Sequence, residues 1–221
     1  MHRIFLCSLT FLSLFISSCS TDTPQTPLQV VSVYSSPSAQ PWLADVYACA
    51  EAIAVISRVD DPATADIALR VGEPKFLASF AYQIDEEEIL IVTHRQSPVQ
   101  SLTLGEAQAL FAGLGDASVQ VWVYASGEDV AEVFDQFVMK GRGVSSSALV
   151  AVNPGQMSDV LNSNANAIGI LPGHWNPSTG SGQGVGDGRE VYSVANVPVL
   201  VLTQSEPQGA VNQLIGCLQK R

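Results

Sequence analysis

Basic residues are scarce: 10 Lys and Arg stand against 21 Asp and Glu in 221 residues, a formal charge of −11. That excludes a nucleic-acid partner, because no basic stripe is available to displace phosphate counterions. It also makes an anionic membrane surface a poor partner for the folded domain. Charged residues of both signs make up only 14% of the chain while 47% is hydrophobic, so a disordered chain is excluded and a sizeable core is affordable. Histidine is limited to His2, His94 and His174. There is no His-Glu-x-x-His and no Gly-x-Ser-x-Gly, so the common metallohydrolase and serine-hydrolase signatures are missing. The chain is read as a non-enzyme with no cofactor and no metal.

Four cysteines are present, and their positions matter more than their number. His2 and Arg3 precede an apolar run from Ile4 to Ile16 that is too short to span a bilayer, and Ile16-Ser17-Ser18-Cys19 follows it. Charged end, apolar middle and small residues before a cysteine are the parts of a lipoprotein signal, with cleavage after residue 18 and a diacylglyceryl and palmitate-bearing Cys19. Losing 18 of 221 residues leaves 203, and losing Arg3 takes the formal charge from −11 to −12. Residues 19–27 are then the lipidated Cys and a polar, proline-bearing tether, and the protein is expected on the outer side of a bacterial membrane, held by lipid. Cys49 and Cys217 remain, and an oxidising compartment favours joining them; two buried free thiols are the alternative.

Along the rest of the chain, strands alternate with helices. Leu28 to Tyr34, Asp66 to Val71, Ile89 to Thr93, Val119 to Tyr124, Ala167 to Leu171 and Val197 to Thr203 read as strands, the third apolar enough to be buried on both faces. Trp42, Val46, Cys49, Ala50 and Ile53 form a helical stripe. Thr103-Leu104-Gly105-Glu106 has the form of a capping box, Ser126-Gly127-Glu128-Asp129 opens a helix, and Asn153-Pro154 opens another. Asp85-Glu86-Glu87-Glu88 reads as a solvated turn, and Gly180 to Gly188 as a mobile connector. The pattern implies an α/β protein with sheets flanked by helices.

The order of these pieces resembles the phosphate-type substrate-binding proteins of ABC transporters, a family with the type II periplasmic-binding-protein fold. The matching residues are Ile89-Leu90-Ile91-Val92, Ser97-Pro98-Val99, Leu102-Thr103-Leu104, Leu110-Phe111-Ala112-Gly113, Ser126-Gly127, Phe134, Phe137, Ile168-Gly169 and Pro198. The resemblance implies a divergent, short member with two lobes and a ligand cleft between them: residues 28–93 with 189–221 in lobe one, and 94–188 in lobe two. It implies a monomer that holds a small ligand, an oxyanion among the candidates, and delivers it to an ABC permease if transport is retained. The alternative is a non-transport lipoprotein of the same fold, acting as a sensor or protein-interaction module.

Two serine-bearing helix starts nominate the cleft independently, because exposed backbone N–H groups and hydroxyls together attract an anion. The candidate ligand-binding residues are Ser35, Ser36 and Ser38 from one lobe and Ser126 and Gly127 from the other, with Arg95 at the crossing strand. His174 and Trp175 lie beside the glycine-rich run, and Trp175 is a candidate cleft cover; a packed loop aromatic is the alternative. The sequence departs from the family's pattern at Val121 to Glu128: no arginine precedes the serine, and Glu128 stands where the family carries a hydroxyl. A carboxylate beside phosphate is repulsive, so a neutral or cationic ligand, or none, suits this position better.

Overall fold

The computed structural model describes residues 28–77, 80–176 and 187–221. The leader, Cys19, the tether and most of the glycine-rich run 180–188 lie outside them. Eight strands form a mixed sheet in the order β2-β1-β3-β8-β4-β7-β5-β6. They are β1 (Gln29–Ser35), β2 (Ala54–Arg58), β3 (Ile67–Val71), β4 (Phe80–His94), β5 (Gln120–Tyr124), β6 (Leu149–Ala151), β7 (Ala167–Pro172) and β8 (Gly188–Thr203). Each end of the sheet is a parallel trio, β2-β1-β3 at one and β7-β5-β6 at the other. Between them lies the long antiparallel pair of β4 and β8, running from Phe80↔Thr203 to His94↔Gly188.

The reason is local. β1 alternates buried and half-buried positions from Val31 onward, and Val31, Val33, Ile67, Leu69 and Val71 are all fully buried, which is how a β-branched strand packs beneath a helix. Ile89, Leu90, Ile91, Val92 and Thr93 are fully buried too, as expected for a strand covered on both faces. Register shifts at Gln83/Asp85, Ile89/Leu90 and Ile91/Val92 break the ladder of the central pair. Such bulges bend and twist the ribbon, so the two trios need not lie in one plane. Thr93 and Arg189, the expected lobe boundaries, are register partners on this ribbon.

Helices α1 (Leu43–Ala50) and α5 (Gly209–Leu218) pack together beside the first trio, and Cys49 and Cys217 join them through a disulfide. Helices α2 (Leu104–Phe111), α3 (Asp129–Phe134) and α4 (Pro154–Ser163) belong to the second. The capping box of Thr103 and Glu106 forms at the start of α2, and its hydrogen bonds hold the Glu106 carboxyl below the usual carboxylate range. Asn153 caps α4 with Pro154 at the first position. Helix α3 runs directly into a wider π-helical turn, Asp135–Met139, ending at Lys140 in the left-handed region (φ 53°).

Three expectations are corrected. The stripe through Ile53 is too long: α1 stops at Ala50, and the β-branched run Ala54–Arg58 joins the sheet as β2. Asp85 to Glu88 is not a turn but the middle of β4, because Val199 to Asn196 of β8 supply a paired ladder for it. The last strand starts at Gly188 rather than Val197, and β6 was not expected at all. Strands of mixed polarity carry little periodic signal when their hydrogen bonds come from distant partners.

The bridge between Cys49 and Cys217 closes a loop with a sequence separation of 168. Reduction should therefore lower unfolding stability by about 2–5 kcal/mol through the freed unfolded chain, read as a drop in urea midpoint with reductant. Cys49→Ser with Cys217→Ser should match that loss and abolish the effect of reductant.

Candidate functional site

Ser36 and Ser38, in the loop after β1, sit at the junction of the two trios, and what they meet there is a side chain of the protein itself. Asp129, the first residue of α3, is 5% exposed. Its carboxylate accepts from Ser36 Oγ at 2.5 Å, from Ser38 Oγ at 2.9 Å, from the Val71 amide at 2.9 Å and from the Val130 amide at 2.9 Å. Three of those donors come from the first half of the molecule, two from the loop after β1 and one from the end of β3. Two hydroxyls and two amides on one carboxylate is the donor set that an oxyanion would require.

Local chain features bring these groups together. The Ser36 amide donates to Leu69 O at 3.0 Å, which ties the serine loop to β3, and Ala39 N donates to Ser36 Oγ at 3.3 Å. Gly72 follows β3 with φ +76°, and a Cβ there would sit 2.5 Å from Val133 Cγ2. Only glycine therefore lets the end of β3 approach α3 closely enough for the Val71 amide to reach Asp129. One turn further along α3, Glu132 pairs with Arg70 at 2.8 Å.

A second set of contacts crosses the same junction. Trp175 donates its indole N–H to Ser38 O at 3.3 Å, and the Trp42 ring packs tilted against His174 with centroids 4.6 Å apart. His174 Nδ1 meets the buried Glu87 carboxylate at 2.8 Å, and Trp42 Nε1 donates to Asp85 at 2.8 Å. Two members of the tetrad read as a solvated turn are thus latch residues.

The field in the junction is negative. Burial first, then the Asp129 charge, pushes the Glu128 carboxyl above the usual range. Burial, then Asp129 and Glu128, pushes the Tyr124 phenol well up. Tyr34 moves the same way through burial, Glu128 and Asp129, with Arg70 pulling back. The buried Tyr124 hydroxyl has no hydrogen-bond partner among the described residues.

The remaining candidates are spread. Ser35 is buried and donates to Ser36 O at 3.0 Å. Ser126 and Gly127 do not meet Asp129's serines; they line a neighbouring groove of about 870 Å³ beside α3. Arg95 is ion-paired with Asp187, which also accepts its backbone amide. Among the described residues no group of three or more His, Cys, Asp and Glu side chains is placed to hold a metal, and no helix is long and apolar enough to cross a membrane. Sequence reasoning missed Asp129, although it stood in the quoted helix start. An acidic first-turn residue is ordinary there, and its partners lie 91 and 93 positions away.

Two outcomes follow from this geometry. Asp129→Ala should cost about 3–5 kcal/mol, since it strands two buried hydroxyls and an amide, and Asp129→Asn should cost less, both read by urea unfolding. For Glu87, burial raises the folded-state pKa above its ordinary 4.5 although His174 lowers it in part. The stabilisation linked to its protonated form is complete below about pH 4.5 and is lost as pH rises through the folded value. Glu87→Gln should flatten that part of the stability profile, visible in urea midpoints of variant against parent between pH 4 and 8.

No protein-family model matches the chain, and no curated protein sequence does. Solved structures do. A Clostridium perfringens protein described as a phosphate ABC transporter substrate-binding protein, with bound phosphate, superposes with TM-score 0.71 at 17% identity over 86% of this chain and 93% of its own. An ABC-type phosphate transport receptor from Vibrio cholerae gives 0.60 at 14% over 86% and 93%. The OxyR2 regulatory domain from Vibrio vulnificus gives 0.65 at 10% over 87% and 97%. Binding proteins and regulatory domains alike are type II periplasmic-binding folds, and that two-lobed α/β fold is the one this chain adopts.

Proposed function

We propose that the protein is a lipid-anchored, extracytoplasmic member of this fold that works as a sensor or protein-interaction module rather than as an oxyanion carrier. The observation that carries the reading is the Asp129 carboxylate, which already occupies the hydroxyls of Ser36 and Ser38, two groups expected to receive a ligand, and takes the Val71 amide as well. A second anion there would face Asp129 and Glu128, with Arg70 offsetting them in part, and like charges brought together cost several kcal/mol. Ligand-driven closure needs a ligand that distinguishes open from closed lobes. Here a tethered carboxylate supplies that difference permanently.

Lipid attachment at Cys19 rests on the leader and tether, and the outward location follows from it. The second reading, a carrier for an ABC permease, is favoured by the phosphate held in the Clostridium perfringens neighbour. Thermal melts separate the two. Phosphate and sulfate at millimolar concentration should leave Tm unchanged, whereas several degrees of stabilisation at micromolar phosphate would reinstate the carrier. An alkyne palmitate analogue should label the parent chain in a bacterial host and fail to label Cys19→Ser.

A further inference from the structure

The sheet has two open ends, and they are finished differently: β2 closes one and β6 the other. An edge strand presents backbone N–H and C=O groups to any strand that approaches, and proteins blunt that tendency with charge. β2 is blunted in this way. Arg58 lies in it, and Glu51, Asp60 and Asp61 flank it, all of them exposed. β6 has no such guard. Residues 143–158, which include it, hold no Asp, Glu, Lys, Arg or His, in a chain whose formal charge is −11.

What this edge offers to solvent is apolar. Leu149, Val150 and Val152 are 41%, 53% and 70% exposed. Strand alternation puts Val150 and Val152 on one face, with Val150 beside its register partner Val123, and Leu149 on the other face beside Trp122. The segment leading into β6 is fixed to α2, since the Ser145 amide donates to Phe111 O at 2.9 Å, and Leu114 just beyond that helix is 81% exposed. β5 and α4 are the elements packed against β6, and no strand among the described residues pairs with its outer side.

Two copies of so acidic a chain repel each other over most of their surface, so a contact between them is confined to a stretch without charge. The mate that suits this edge is itself an extended, uncharged strand with exposed apolar side chains, and β6 has those properties. We infer that β6 pairs antiparallel with β6 of a second copy about a two-fold axis, continuing the sheet from one molecule into the next. Backbone hydrogen bonds along Leu149–Ala151 align the two edges, and Val150 and Val152 are covered by their counterparts. The strand is three residues long, and the Val152 amide already donates to Gln156 Oε1 at 2.8 Å. The pairing is therefore weak, with a dissociation constant on the order of 10–100 µM. It departs from the monomer that the family resemblance implies, and it does not depend on what fills the serine junction.

Cysteine trapping of the full chain in a bacterial host tests this, with the permeant oxidant diamide added to intact cells. Directly opposed residues of an antiparallel pair have Cα atoms about 4.5–5.5 Å apart, within reach of a disulfide. Of Leu149→Cys, Val150→Cys and Val152→Cys, the variant nearest the axis should give a band of doubled mass on a non-reducing gel. That band should be about tenfold stronger than the one from Val55→Cys on the β2 edge, because pairing holds the two thiols together. Adding Val152→Lys, or Val150→Lys where Val152 carries the trap, should remove the band while leaving Tm unchanged, since both side chains are exposed. No doubled band at any position, equal bands at β6 and β2, or a band that survives the added lysine overturns the inference. A trapped band of some other mass overturns it too, and assigns the edge to a strand of a different protein.

Discussion

The Asp129 carboxylate ties the two halves of this molecule together at their junction. Asp129 draws two hydroxyls and an amide from the first half onto the start of a helix in the second. A buried carboxylate is tolerable only when such donors replace its lost water. Once they are in place the arrangement is hard to change, since moving the halves apart would strand both the charge and its partners. The serine loop, the end of β3 and the start of α3 are therefore held to one geometry, and Gly72 exists to permit that approach.

Further contacts reinforce the same closure from both flanks. Arg70 and Glu132 lie along α3, while Trp175, Trp42, His174 and Glu87 clasp the other side. The central β4–β8 ribbon links the trios, and the disulfide secures α1 to α5 on the first half. Where two serines were expected to receive a solute, a carboxylate of the protein itself accepts their hydroxyls.

Much of the fold was legible because it is written in local patterns. Hydrophobic alternation marked β1 and β3, a continuous apolar run marked the buried half of β4, and capping residues marked the starts of α2 and α4. The serines of the site were legible as well, because small hydroxyls at a helix start are conspicuous. Less was visible in β6 and the outer halves of β4 and β8. These are strands because of their neighbours, and Asp85 to Glu88 would be a solvated turn if β8 did not pair with it.

The chain by itself determined the alternation of strands and helices, the acidic balance, the leader with Cys19 and the pair of cysteines available for bonding, since each depends on composition or on residues a few positions apart. Only the folded molecule decided that Ser36 and Ser38 would bind Asp129 rather than each wait for a solute. It also decided that Lys140 and Arg142 would border the same groove as Lys75. Those pairings span from about 65 to more than 90 residues. Nothing in local propensity encodes them, because they arise where the sheet order and a close glycine-mediated approach bring distant loops to one place.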